Sequence, residues 1–232
     1  MNNHASFIHP AGWPFIAIAA GIFLGCALIG GMAFLVGVVL LAWVIYFFRN
    51  PKRVTPVRPG LVISPADGRV CLITEVVPDE ELGLGSEKRL RISIFLSIFN
   101  VHINRCPIEG TVVDKIYRPG KFFNASLDKA SVDNERNALA LTMTGEHPFK
   151  GQKIGVVQIA GLIARRIVCW SSIGDTLRSG ERFGLIRFGS RTDLYLPQGM
   201  QPMVCVGQTV LGGETVLADA LSQENVREGE VR

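Results

Sequence analysis

The first 48 residues contain no Lys, Arg, Asp or Glu, and every charged residue of the 232-residue chain lies from Arg49 onward. Within that stretch, FIAIAAGIFLGCALIGGMAFLVGVVLLAWVIYFF (15–48) is apolar throughout except for small residues. A bilayer-spanning helix needs about 20 such residues, so this run is too long for one upright span and tight for two. Gly30–Gly31 near its middle is compatible with two short helices in a hairpin, or with one helix and an interfacial lead-in. The segment reads as a membrane anchor behind a polar lead over 1–14. A cleaved signal peptide fits poorly, because the lead has no positive charge and no clean small-x-small site precedes a polar start.

Beyond residue 60 the pattern changes to short apolar runs closed by turn residues. LVISPADGRVCLITEV (61–76) reads as strand, Pro-Ala-Asp-Gly turn, strand. RLRISIFLSIFNVHINRCP (89–107) alternates and then becomes continuously apolar, as a strand buried on both faces does. GTVVDKIYRPG (110–120), NALALTMTG (137–145), KIGVVQIAGLIARRIVCW (153–170) and FGLIRFGS (183–190) continue the series. Two segments also match: IGDTLRSGE (173–181) and VGQTVLGGE (206–214) share an apolar-Gly-polar-Thr frame ending in Gly-Glu, offset by 33. The predicted fold is mainly β: a barrel-sandwich-like domain over 60–232 with an internal pseudo-repeat, preceded by a hydrophobic transmembrane or membrane-anchoring segment.

Charge adds orientation. Arg49, Lys52, Arg53 and Arg58 crowd a linker over 49–59, and by the positive-inside rule this flank is cytoplasmic, which predicts a cell (inner) membrane protein with its β domain on the cytoplasmic side. The same cations attract anionic lipid headgroups. A formal net charge of +4 without aromatic–basic interleaving argues against a nucleic-acid partner. Five scattered cysteines without a CxxC fit a reducing compartment rather than a disulfide framework or a zinc site.

Chemistry-bearing residues are few. His4 and His9 precede the anchor, and His147 sits in a polar turn. His102 interrupts the most apolar stretch of the domain, flanked at period two by Asn100 and Asn104, and a buried imidazole needs such partners. Asp67 in SPADG has the ordinary reading of an Asx-type turn residue. Gly189–Ser190 in RFGSRTDLYLP (187–197) reads, taken alone, as a turn between two apolar runs. Neither a P-loop, a GxGxxG nor a GxSxG elbow is present.

Taken together, SPADGRV (64–70), SIFNVHINRCPIEG (97–110), ERFGLIRFGSRTDLYLP (181–197) and VGQTVLGGETVLA (206–218) resemble the phosphatidylserine decarboxylase family, in its short bacterial membrane-anchored form. The resemblance covers roughly residues 50 to 220 and rests on the order of the motifs more than on any one. It implies a proenzyme that cuts itself between Gly189 and Ser190, leaving a β chain of 1–189 and an α chain of 190–232 that remain associated. Ser190 would become a covalent pyruvoyl group serving as the electron sink for phosphatidylserine decarboxylation, with no PLP and no metal. The family's aspartate falls on Asp67 and its histidine on His102. Many long-form members carry a second histidine three residues beyond the first, where this chain has Arg105, which leaves the division of roles around His102 open. Arg187 and Arg191 are candidates to hold the substrate's phosphate or carboxylate, and a homo-oligomer is compatible with everything above. The alternative is a membrane-anchored lipoyl-like or adaptor β module, which the Gly-[Asp/Gln]-Thr turns also fit.

Overall fold

The computed structural model describes residues 6–120, 134–161, 166–187 and 189–230. His4 and part of the run expected over 153–170 lie outside them. The chain forms two compact units, one comprising the residues up to Lys52 with Phe99–Val101, the other Arg53–Ile98 with the residues from His102 onward.

In the first unit the apolar run makes two helices, α1 (Trp13–Ile29) and α2 (Gly31–Phe47). Gly30 breaks them at φ 75°, a left-handed value that favours glycine. They fold back on each other: a Cβ at Gly37 would lie 3.0 Å from Cys26 Cβ and 3.2 Å from Phe23 Cα, and Phe23 meets Phe34 at 5.7 Å. Helix α1 with its preceding 3-10 turn (Pro10–Ile29) is 20 residues long and apolar enough to cross a membrane. The 17 residues of α2 rise about 26 Å, just under a bilayer's hydrocarbon core.

The second unit is built of β1 (Leu61–Ile63), β2 (Gly68–Val76), β3 (Arg89–Leu96), β4 (Ile103–Arg105), β5 (Gly110–Arg118), β6 (Arg136–Met143), β7 (Lys153–Ala160), β8 (Ile167–Cys169), β9 (Thr176–Leu177), β10 (Arg182–Ile186), β11 (Ser190–Leu196), β12 (Gln201–Pro202), β13 (Thr209–Val210) and β14 (Val216–Asp219). An eight-stranded antiparallel sheet, ordered β13-β2-β3-β11-β7-β6-β5-β9, curls into a half-barrel. Two three-stranded sheets, β1-β14-β12 and β4-β10-β8, complete the unit. Alternate residues such as Ile92, Ile94, Leu139, Leu141 and Leu194 form the main core. The other face is also buried, with Leu82 and Leu84 packed against Val157, Ile159 and Tyr195. The mainly β, pseudo-repeated fold is therefore present. The run over 89–107 is not one strand, however: β3 ends at Leu96, and β4 begins at Ile103 in a different sheet.

The repeat is more extensive than its sequence match. Gly207 N–H donates to Val70 O at 2.7 Å and Val70 N–H to Gln208 O at 2.9 Å; Gly174 N–H donates to Val112 O at 2.8 Å and Val112 N–H to Asp175 O at 2.9 Å. β2 and β5 each begin with glycine, facing Val210 and Leu177, and bulge at the same step, Val70/Leu72 and Val112/Asp114. β1-β14-β12 matches β4-β10-β8 in the same way. Residues 61–76 thus correspond to 103–118, and 206–219 to 173–186, about a pseudo-twofold axis between β11 and β7.

Candidate active site

The apolar run 183–190 ends β10 at Ile186 and starts β11 at Ser190, so the Gly189–Ser190 peptide joins two sheets. Ser190 sits at the mouth of the central strand pair, opposite Leu96 of β3 and Ala160 of β7. It is fully buried, and its Oγ has no hydrogen-bond partner among the described residues. Such an orphaned hydroxyl costs about 1–3 kcal/mol. Gly189 has φ +61°, the left-handed region.

His102 immediately precedes β4 and is fully buried. Its backbone carbonyl accepts the Ile186 N–H at 3.1 Å, and its Nε2 accepts the Gly189 N–H at 3.2 Å. A neutral imidazole that accepts at Nε2 carries its proton on Nδ1. The basic nitrogen therefore points at the residue whose carbonyl Ser190 would attack.

Asp67 lies in the turn before β2, nearly buried. Its Oδ1 accepts the Gly212 N–H at 2.7 Å and its Oδ2 meets Arg53 Nη2 at 2.7 Å. Arg105 lies beside it; burial, with the charges of Arg182 and Arg53, lowers its guanidinium to about 10 against the opposing pull of Asp67 and Glu214. The Asp67 turn is bonded to β4 through Arg105 N–H to Pro65 O at 2.9 Å. Asn104 on β4 donates to Thr192 Oγ1 at 3.2 Å and accepts from Gln158 at 2.8 Å, and Gln158 in turn accepts from Asn137 at 2.9 Å. This buried amide chain holds β4 against β11, β7 and β6. Gly184 makes room for it, since a Cβ there would lie 2.7 Å from Gln158 Nε2.

The two arginines beside the motif part company. Arg191 is 1% exposed and grips Asp193 through Nε–Oδ1 and Nη2–Oδ2 contacts of 2.6 Å each, on the opposite face of β11 from Ser190. Arg187 is half-buried beside Arg166, and burial together with that neighbouring cation lowers its pKa. The structure thus joins Gly189, Ser190 and His102 directly, and Asp67 to them through its turn. Reading the sequence did not single out Arg53, Gln158 or Thr192 for this site, nor Ile98, whose Cγ2 is 3.9 Å from where a Gly189 Cβ would be.

The sequence matches the phosphatidylserine decarboxylase family over residues 40–218. The chain belongs to that family. It is 58% identical over 212 residues to the phosphatidylserine decarboxylase proenzyme of Ruegeria pomeroyi, covering 91% of this chain and 94% of the relative. It is 55% identical over 225 residues to that of Cereibacter sphaeroides, with 97% and 95% covered, and 53% identical over 228 residues to that of Paramagnetospirillum magneticum, with 97% and 92% covered. Membership of a carboxy-lyase family removes the carrier or adaptor alternative.

Proposed function

We propose that this chain cuts its own Gly189–Ser190 bond and then decarboxylates phosphatidylserine to phosphatidylethanolamine at a membrane surface. The observation that carries the reading is the junction itself: a buried Ser190 Oγ without a hydrogen-bond partner among the described residues, beside a left-handed Gly189 whose N–H is held by His102 Nε2. His102 Nε2 exchanges the Gly189 N–H for the Ser190 hydroxyl proton, and Oγ adds to the Gly189 carbonyl carbon. The peptide C–N bond breaks as nitrogen takes the proton from the imidazolium, leaving an ester. The intramolecular geometry replaces an encounter, a large entropic advantage. Loss of the Ser190 Cα proton expels Oγ with the Gly189 carboxylate, and one water then displaces ammonia to leave a pyruvoyl N-terminus.

The residues fit that group, because the hydroxyl left without a partner among the described residues is the one the reaction removes. A pyruvoyl group at Ser190 would supply, once joined to the substrate amine, the electron sink that PLP supplies in other decarboxylases. Asp67, fixed by Arg53 and the Gly212 N–H, steadies the turn on which β4 and His102 depend. Arg187 is assigned to the lipid's phosphate or carboxylate, since the Arg191 fork is filled by Asp193. Helices α1 and α2 anchor the chain, and the Arg49–Arg58 cations place the β domain on the cytoplasmic side of the inner membrane. After cleavage β11 remains paired with β3 and β7, which keeps the two chains together.

The test is carbon dioxide release from carboxyl-labelled phosphatidylserine in vesicles. The purified chain should turn the lipid over, Ser190→Ala should not, and free serine should be a poor substrate. Equal rates on lipid and free serine would overturn the substrate assignment.

A further inference from the structure

The pseudo-twofold axis that relates β2 to β5 also generates a counterpart of the active site. Asp67 maps onto Glu109, His102 onto Gly60, Gly212 onto Ser179, and the Gly189–Ser190 pair onto Gly151–Gln152. Gly151 is left-handed like Gly189, at φ +85°. The two turns repeat in detail: Ser64 Oγ donates to Ala66 O at 2.7 Å, and Cys106 Sγ to Ile108 O at 3.0 Å. Glu109, Gly60 and Ser179 all line one cavity of about 340 Å³, together with Arg58, Glu146 and His147.

This cavity again holds a carboxylate and an imidazole, now contributed by Glu109 and by His147 from the loop after β6. His147 Nδ1 accepts the Phe149 N–H at 3.0 Å, and its buried Nε2 has no hydrogen-bond partner among the described residues; burial lowers its pKa, with the Gly60 backbone and Asp219 pulling the other way. No ion pair engages Glu109 or Glu146 among the described residues, and the Arg58 guanidinium is half exposed while one edge binds Asp219 at 2.5 Å. At the position equivalent to Ser190 the chain has Gln152, so this half of the repeat has no counterpart of the Gly-Ser junction, and the cavity is read as a binding site.

We infer that this cavity binds a zwitterionic aminoalkyl phosphate, with the ammonium on Glu109 and Glu146 and the phosphate on Arg58 and His147. The site stands on geometry alone. The ligand class rests on the reading proposed above for the centre it mirrors. The chemistry is shared by a free aminoalkyl phosphate and by the headgroup of phosphatidylethanolamine.

The experiment is calorimetric titration of the full, self-cleaved chain in phosphatidylcholine nanodiscs with O-phosphoethanolamine. A saturable site is expected, weakened at least tenfold by Glu109→Gln and by His147→Gln, and changed less than twofold by Glu75→Gln, which lies outside both the cavity and the candidate active site. Ethanolamine and inorganic phosphate alone should each bind at least tenfold more weakly. No saturable heat, or binding kept in both Glu109→Gln and His147→Gln, overturns the inference, as does inorganic phosphate binding equally well. Two independent variants guard against one failing to fold. Nanodiscs containing phosphatidylethanolamine identify the source: the heat of the free ligand disappears if the bilayer lipid fills the cavity and persists if it does not. A chain that binds the probe but releases no carbon dioxide refutes the proposed function and not this site, and the reverse result refutes only this site.

Discussion

Replacing Gly189 by alanine separates the geometry of self-cleavage from its chemistry. The new methyl would meet little: among the described residues only Ile98 Cγ2 comes within 4 Å, at 3.9 Å. The cost is therefore conformational, since a non-glycine residue held at φ +61° loses roughly 1–2 kcal/mol. Alanine retains the carbonyl that Ser190 attacks, so the chemistry survives. If the left-handed conformation is what aligns that carbonyl with Oγ, the loss falls on the cleavage barrier. At about 1.36 kcal/mol per decade it slows cutting roughly 5- to 30-fold. Gly189→Asn, which tolerates left-handed φ better, should be slowed less. The assay is a time course of freshly synthesised chain in membranes, resolved on a denaturing gel. Gly189→Ala cutting at the wild-type rate would refute the role given to this conformation. Complete loss of cutting in both variants, with the fold intact, would show that glycine is needed for something other than its φ.

Three further outcomes follow from the same geometry. His102→Ala should leave the chain uncut on the same gel, whereas normal cutting with lost turnover would move His102 to the decarboxylation step. Arg191→Met should destabilise the protein by about 3–5 kcal/mol by leaving Asp193 buried and unpaired, and Arg191→Met with Asp193→Leu should recover most of that in thermal unfolding; turnover lost in the recovered double variant would instead give Arg191 a role at the headgroup. Burial pushes the Cys106 thiol up to about 12, so maleimide at pH 8 should label Cys71, Cys169 and Cys205 first, and prompt labelling of Cys106 by peptide mass would contradict the burial.

The legibility of this fold in its sequence was uneven, for physical reasons. The helical hairpin was nearly explicit, because 34 uncharged residues interrupted by Gly30–Gly31 leave few alternatives, and the left-handed Gly30 chose between them. Strands bounded by Gly and Pro fell close to their expected places. The run over 89–107 misled because continuous apolarity records burial on both sides but not a change of sheet, and the break at Ser97–His102 carries no Gly or Pro. The pseudo-repeat was visible in 173–181 and 206–214, yet its other half, SPADG against CPIEG at an offset of 42, is as regular and relates Asp67 to Glu109. Motif order drew attention to His102, Gly189 and Ser190, and the fold places His102 Nε2 on the Gly189 N–H. Arg53 was hidden among cations that the positive-inside rule already explained, and Gln158 and Thr192 by alternation within ordinary strands, where only the folded register brings them to Asn104.

The central claim is that Gly189–Ser190 is made to be broken, and a denaturing mass spectrum of freshly purified protein tests it most directly. The intact chain is 25.3 kDa. In proportion to chain length, the account predicts pieces of about 20.6 and about 4.7 kDa, the smaller lacking a free amine and gaining two mass units on borohydride reduction, while Ser190→Ala remains whole. A single full-length species from protein that is turning over phosphatidylserine would contradict it.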